Sequence, residues 1–144
     1  MIVIADTSGI IAASDRKSDD SLGCRTVLQE AGTVIISPLV LAEVDHMAKV
    51  RFGPPARAEI ISFLLAQVRR LRFQVPQIDG EILDTAHSVQ QRYKGLDLDL
   101  ADAVNTALAA EYRTDTVLTL DRRDFRAVRP LTPHSSFRLL PDDW

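Results

Sequence analysis

A single cysteine, Cys24, in 144 residues excludes an internal disulfide and a metal site built from thiolates. The expected role of that thiol is a buried, inert one. No apolar run approaches the ~20 residues that a bilayer-spanning helix needs. The opening stretch MIVIADTSG lacks the basic segment and long apolar core of a secretion signal. Both absences point to a cytoplasmic protein with no membrane partner. Positive charge is also short: 17 Lys and Arg stand against 20 Asp and Glu, a net charge of −3. Any nucleic-acid binding therefore requires a local basic patch rather than a global field. His87 has no second His or Cys at ligand spacing, so it is read as structural or exposed. There is no internal repeat, linker or low-complexity tract, and a 46% hydrophobic content suits one globular domain spanning residues 1–144.

What the chain does contain is an alternation of short apolar runs and helical patterns. Residues 2–5, IVIA, are apolar throughout and predict a central strand, with a short helix beginning around Ile10 and Ile11. A helix is expected over 21–30, ended by Gly32, and a strand over 33–36. Ser37-Pro38 is a strong helix start, with Ser as N-cap and Pro at the first helical position. Gly53-Pro54-Pro55 punctuates the chain before a long amphipathic helix over 55–71, with Ile60, Phe63, Leu64 and Val68 inward. Arg69, Arg70 and Arg72 at its end suit a solvated terminus better than a binding patch. Residues 73–75 predict an edge strand before Pro76, and Asp79 caps a helix reaching Tyr93, with Gly95 as terminator. Asp99 stands as N-cap of the next helix, with Asp102 three positions on in a carboxylate version of the capping box. Arg113 near that helix's end complements its dipole. Residues 116–120, TVLTL, are a strand covered on both faces; 130–136 form a loop, and 137–140 a last edge strand.

The functional signal is a convergence of acids. Asp6, Glu43, Asp102 and Asp121 each fall at a strand exit or in the opening turns of an adjoining helix. In a parallel sheet those exits share one edge, where sites form. Each acid has a bland alternative: Asp6 as a helix cap, Glu43 as a solvated surface residue. Four bare carboxylates brought together would repel one another and raise each other's pKa. The simplest remedy is a hard divalent cation with oxygen ligands, Mg²⁺ or in its place Mn²⁺. Such a cation suits phosphodiester cleavage, which needs a nucleophile at neutral pH and a stabilised leaving oxyanion. On this reading Asp6 and Asp102 are the chief metal ligands, Asp121 a ligand directly or through water, and Glu43 a water orienter or general base. Thr7 and Ser8 hold a carboxylate or touch a phosphate, and Arg122 and Arg123 grip a phosphate backbone or are simply solvated.

The segments IADTSGIIA at 4–12, SPLVLAEVDHM at 37–47, LADAVNTALA at 100–109 and TVLTLDRRDF at 116–125 resemble, in order and spacing, PIN-domain ribonucleases, specifically the VapC toxins of bacterial toxin–antitoxin pairs. The resemblance spans essentially the whole chain. It matches Asp6, Glu43, Asp102 and Asp121 to the family's acidic quartet, with Asp124 as auxiliary acid, and leaves Asp97 and Asp99 as helix-entry residues. It implies a three-layer α/β/α fold around a short, mostly parallel sheet. It also implies a Mg²⁺-dependent endoribonuclease that cuts cellular RNA (rRNA or tRNA) to inhibit translation, and a cognate antitoxin. A homodimer is expected. Ile10, Ile11, Leu39, Val50 and Phe52 are expected near a groove for the partner's amphipathic helix, or else serve as core or homodimer contacts. Two other classes compete. A phosphoaspartyl receiver or phosphatase wants a Lys near a late strand exit, and no Lys follows residue 94. A non-catalytic RNA- or protein-binding module would have no need of four acids.

Overall fold

Five short strands form one fully parallel sheet in the computed structural model, which describes residues 1–144. They are β1 (Ile2–Ala5), β2 (Thr33–Ile35), β3 (Phe73–Gln74), β4 (Thr116–Leu118) and β5 (Arg138–Leu140), in the spatial order β3-β2-β1-β4-β5. The first strand is thus the middle one, pairing β2 on one side and β4 on the other. Side chains along the strands alternate between two cores, as the two-residue period requires. Val3, Ala5, Val34, Leu118 and Leu140 join one cluster; Ile4, Ile35, Val117 and Leu139 join the other.

The first core is covered by α1 (Thr7–Ser14), α2 (Ser21–Glu30), α3 (Pro38–Phe52) and α4 (Pro54–Arg69), the second by α5 (Gly80–Arg92), α6 (Leu100–Glu111) and α7 (Arg122–Ala127). This is the three-layer α/β/α arrangement expected from the sequence. Ser37 Oγ accepts from the Leu39 amide at 3.1 Å and Asp79 Oδ1 from the Ile82 amide at 3.0 Å, so both expected caps form. The start of α1 sits hard against the exit of β4: a Cβ on Gly9 would lie 2.5 Å from Leu118 Cγ.

Several expectations change. The helix after β1 begins at Thr7, three residues before Ile10. Asp99 occupies the N-cap position of α6 but makes no side-chain cap bond, so the expected capping box does not form. Arg113 lies beyond the helix end in a left-handed conformation (φ 52°) instead of in its last turn. Gly95 does not end α5. The helix stops at Arg92, a 3₁₀ turn follows over Lys94–Leu96, and Asp97 takes the left-handed position (φ 50°). Phe63 is half exposed, whereas Leu64 beside it is buried. Arg72 is no solvated terminus: its Nη2 donates to the carbonyls of Leu28, Gln29 and Ala31, satisfying the open end of α2. A helix also stands where the sequence suggested only an acidic corner, namely α7.

The five residues expected to share a partner groove do not share one. Ile11 is 1% exposed in the first core, Leu39 packs on the second core across the sheet, and Val50 is 70% exposed. Phe52 packs against the first core under the Arg51 guanidinium. Ile10 lines the groove between α1, α2 and α4.

Candidate active site

The carboxyl edge of the sheet is where β1, β2 and β4 hand over to helices, and each handover carries an acid. Asp6 follows β1 directly and is 5% exposed. It sits at the N-cap of α1 yet makes no cap bond to that helix. Its Oδ2 instead accepts from Thr119 Oγ1 at 2.8 Å and from Ser8 Oγ at 3.2 Å. The capping explanation of Asp6 therefore does not describe where its carboxylate is used. Thr119 Oγ1 in turn accepts from the Asp121 amide at 2.9 Å, and Ser8 Oγ from the Leu120 amide at 2.9 Å. The β4 exit and the β1 exit are thus laced by two hydroxyls.

The second group comes from α6 and α7. Carboxylate oxygens of Asp102, Asp121 and Asp124 lie within 4.8 Å of one another. Burial, then the charges of Asp6, Asp121, Asp99 and Asp124, push Asp102 up to about 8. Asp6 is raised by burial, opposed chiefly by the Thr119 hydrogen bond, with Asp121 adding to the rise. Asp124 is raised by burial and by Asp121, and Arg123 pulls it back. Glu43, in the second turn of α3, is raised by burial and by Asp6 and Asp99, while the Thr7 hydroxyl opposes. It stands at the exposed rim.

These acids feel one another and lack cationic partners. Asp15, Asp20, Asp45, Asp142 and Asp143 each pair with an arginine; Asp6, Glu43, Asp99, Asp102, Asp121 and Asp124 pair with none. Thr7 Oγ1, buried beside them, has no hydrogen-bond partner of good geometry. An all-carboxylate donor set with unbalanced charge fits a hard divalent cation.

The fold therefore brings together Asp6, Asp102 and Asp121, and adds Asp124 to the tightest group. Asp99, read from the sequence as a helix-entry residue, joins the same field; Asp97 does not. The sequence signal for Asp99 was its place three residues before Asp102, which also fits a plain cap. Thr119 carried no signal of its own within the apolar run TVLTL. The two arginines separate. Arg122 is held by Asp142 and lies 3.8 Å from Asp20, whereas Arg123 is in no ion pair.

Comparison with known proteins gives the family and the fold. Residues 3–130 match the PIN domain family. Ribonuclease VapC26 of Mycobacterium tuberculosis is 31% identical over 130 residues, covering 90% of this chain and 93% of that protein. Among solved structures, the chain is similar to M. tuberculosis VapC20, a sarcin–ricin loop cleaving toxin, with a TM-score of 0.74, 19% identity, and 88% and 94% of the two chains covered. It is also similar to a chain of Rickettsia felis VapBC2 bound to a promoter DNA fragment, with a TM-score of 0.68, 18% identity, and 92% and 96% covered. A toxin–antitoxin complex from Klebsiella pneumoniae gives a TM-score of 0.63 at 23% identity, with 92% and 98% covered. The solved structures speak to the fold.

Proposed function

We propose the function that follows from kinship: this chain belongs to the PIN domain family, among the ribonucleases of VapC type. It is a nuclease, and we read it as the toxin of a toxin–antitoxin pair that cuts cellular RNA, rRNA or tRNA, to halt translation. The observation that carries this reading is the gathering of Asp6, Asp102, Asp121 and Asp124 at one sheet edge with no ion pair among them.

Asp102, Asp121 and Asp124, with Asp6 beside them, would hold a divalent cation, Mg²⁺ with Mn²⁺ as substitute. When bound, such a cation would supply the charge that eases deprotonation of an attacking water and steadies a leaving oxygen. The chain's own residues do the rest. Ser8 and Thr119 fix one oxygen of Asp6, so its carboxylate cannot rotate freely. Glu43, at the rim with a proton affinity raised by burial and by Asp6, is the candidate to take a proton from water. Arg123, which is in no ion pair although its charge reaches Asp124, is the cation available to a backbone phosphate, a contact that positions RNA without reading sequence.

The antitoxin partner has a place to dock on this reading. A cavity of about 610 Å³ between α1, α2 and α4 has Ile10, Leu28 and Phe63 in its wall and Arg16, Arg25 and Arg70 around it. An amphipathic helix with acidic flanks suits that combination. We place the protein in the cytoplasm as a homodimer, which sedimentation of the purified protein would test.

The deciding experiment is cleavage of total cellular RNA by purified protein, with sequencing of the new ends. Cutting should stop with EDTA, return with Mg²⁺ or Mn²⁺, and vanish in Asp6→Asn while the fold persists. Cleavage that continues in EDTA, or at the wild-type rate in Asp6→Asn, would overturn the reading.

A further inference from the structure

The helix that brings Asp121 and Asp124 to the site has little hold of its own. Helix α7 is six residues long and buries only Phe125 among them. A helix this short has no independent stability in water, so its orientation must be imposed by its neighbours.

Beyond the core around Phe125, the main hold is one arm, residues 137–143, which contains β5. It grips α7 at three points. Phe137 packs edge-on against Phe125, with ring centroids 5.7 Å apart and an interplanar angle of 88°. Asp142 takes both Nε and Nη2 of Arg122, the Nη2 contact at 3.0 Å, and Asp20 at the start of α2 flanks the same guanidinium. Asp143 takes both Nη1 and Nη2 of Arg126, each at 2.7 Å. Asp143 is itself fixed. Its Oδ2 accepts from the Leu139 amide at 2.8 Å, and its own amide donates to the Leu139 carbonyl at 2.7 Å. Residues 122, 125 and 126 fall on one face of a helix, and Asp121 and Asp124 fall outside it. One face is held by the arm, and the other carries acids to Asp102.

We infer that Asp142 and Asp143 are positioning residues for the nuclease site, setting the orientation of α7, and with it Asp121 and Asp124, through two-pronged contacts to Arg122 and Arg126. The inference rests on the nuclease reading above and names residues outside its acidic set. Paired guanidinium and carboxylate forks fix direction as well as distance. Exposed pairs of this kind contribute little to global stability. The arm's effect is therefore local.

The test is Asp142→Asn/Asp143→Asn, with Mn²⁺ affinity measured by calorimetry in the absence of RNA and amide exchange followed by mass spectrometry. The variant should bind Mn²⁺ about tenfold more weakly, the size usual for lost outer-shell support. Exchange should quicken over residues 121–127, leave α5 and α6 unchanged, and move Tm little. Exchanging the partners, Arg126→Glu with Asp143→Arg, should recover part of the loss, whereas Asp143→Arg alone should not. If the double Asn variant does not fold, Arg126→Lys, which keeps the charge and loses the fork, should give the same local effect in milder form. Wild-type affinity and exchange in these variants would overturn the inference, as would uniform acceleration across α5, α6 and α7. If the wild-type protein itself binds no Mn²⁺, the nuclease reading falls, and exchange over residues 121–127 still decides what the arm does.

Discussion

The hydroxyls of Ser8 and Thr119, 111 positions apart in the chain, stand 3.2 Å from each other and meet on the same carboxylate oxygen of Asp6. Each also receives an amide from the segment leaving β4. Thr119→Val keeps the shape of the side chain and removes the shorter of the two bonds to Asp6. The buried carboxylate then loses a donor that favours its charged form, so its proton affinity rises further. Mn²⁺ binding should weaken by roughly tenfold to a hundredfold, and Ser8→Ala should have a smaller effect. Calorimetry on both variants checks this; equal affinities in wild type and Thr119→Val would contradict it.

Stability should depend on pH in a direction set by Asp102. In the metal-free protein its carboxyl titrates at about 8, against an ordinary 3.8. Between those values the folded chain binds a proton that the unfolded chain has released, so stability falls as pH rises. The contribution is fully present below 3.8 and gone above about 8. Asp6, Glu43 and Asp124 are shifted the same way. Asp142 and Asp143 are shifted downward, the latter to about 2, so their contribution has the opposite sign and is lost only in strong acid. The Tm of EDTA-treated protein should drop from pH 4 to pH 8, and Asp102→Asn should flatten the slope and raise Tm at neutral pH. A Tm that climbs over that range in both proteins would be the contrary result.

The two arginines after Asp121 should behave differently. Arg123→Ala should weaken RNA binding and lower the slope of log affinity against log salt by about one phosphate's worth. Arg122→Ala should leave that slope unchanged, because Asp142 and Asp20 already occupy the guanidinium. Binding titrations at several salt concentrations, using RNA with the catalytically silent Asp6→Asn background, separate the two. Equal slopes for both variants would refute the distinction.

Gly9→Ala should destabilise the fold. The added carbon would meet Leu118 at 2.5 Å, and Leu118 is fully buried at the end of β4. Overpacking of this kind costs about 1–3 kcal/mol, which in a domain of this size lowers Tm by roughly 2–4 °C per kcal/mol. Urea unfolding would reveal it as a lower midpoint with an unchanged slope; an unaltered midpoint would mean α1 can retreat from β4 freely.

Much of the scaffold was legible because its signals are local. The apolar runs at β1 and β2, the Ser37-Pro38 start and the Asp79 cap depend on a few neighbouring residues, and they appear where those residues place them. Helix α7 was not legible, because RRDFRA offers one apolar residue and no period; what holds it lies in residues 137–143. The shared groove failed for a similar reason, since apolar content does not say which face of a sheet a residue will cover. That Asp6, Asp102 and Asp121 would lie near one sheet edge could be read from strand exits and helix starts, whereas the part of Asp99 in their field could not. Of their supports, Ser8 was expected to hold a carboxylate and does; Thr119 could not be expected, because it reaches Asp6 only after β4 has paired with β1.

That pairing has a consequence for the protein's own synthesis. Strand β1 is made first but lies in the middle of the sheet, with β4 as its neighbour. Asp6 leaves the ribosome 113 residues ahead of the hydroxyl that fixes it. Asp102, Asp121 and Asp124 also come late in translation, and the arm that steadies α7 comes later still. At roughly 5–20 residues per second, the growing chain spends most of its time with at most Asp6 and Glu43 made, and no site. Strand order thus sets the acids apart in time, and a growing chain holds no assembled site until the segment carrying Asp121 and Asp124 has been made.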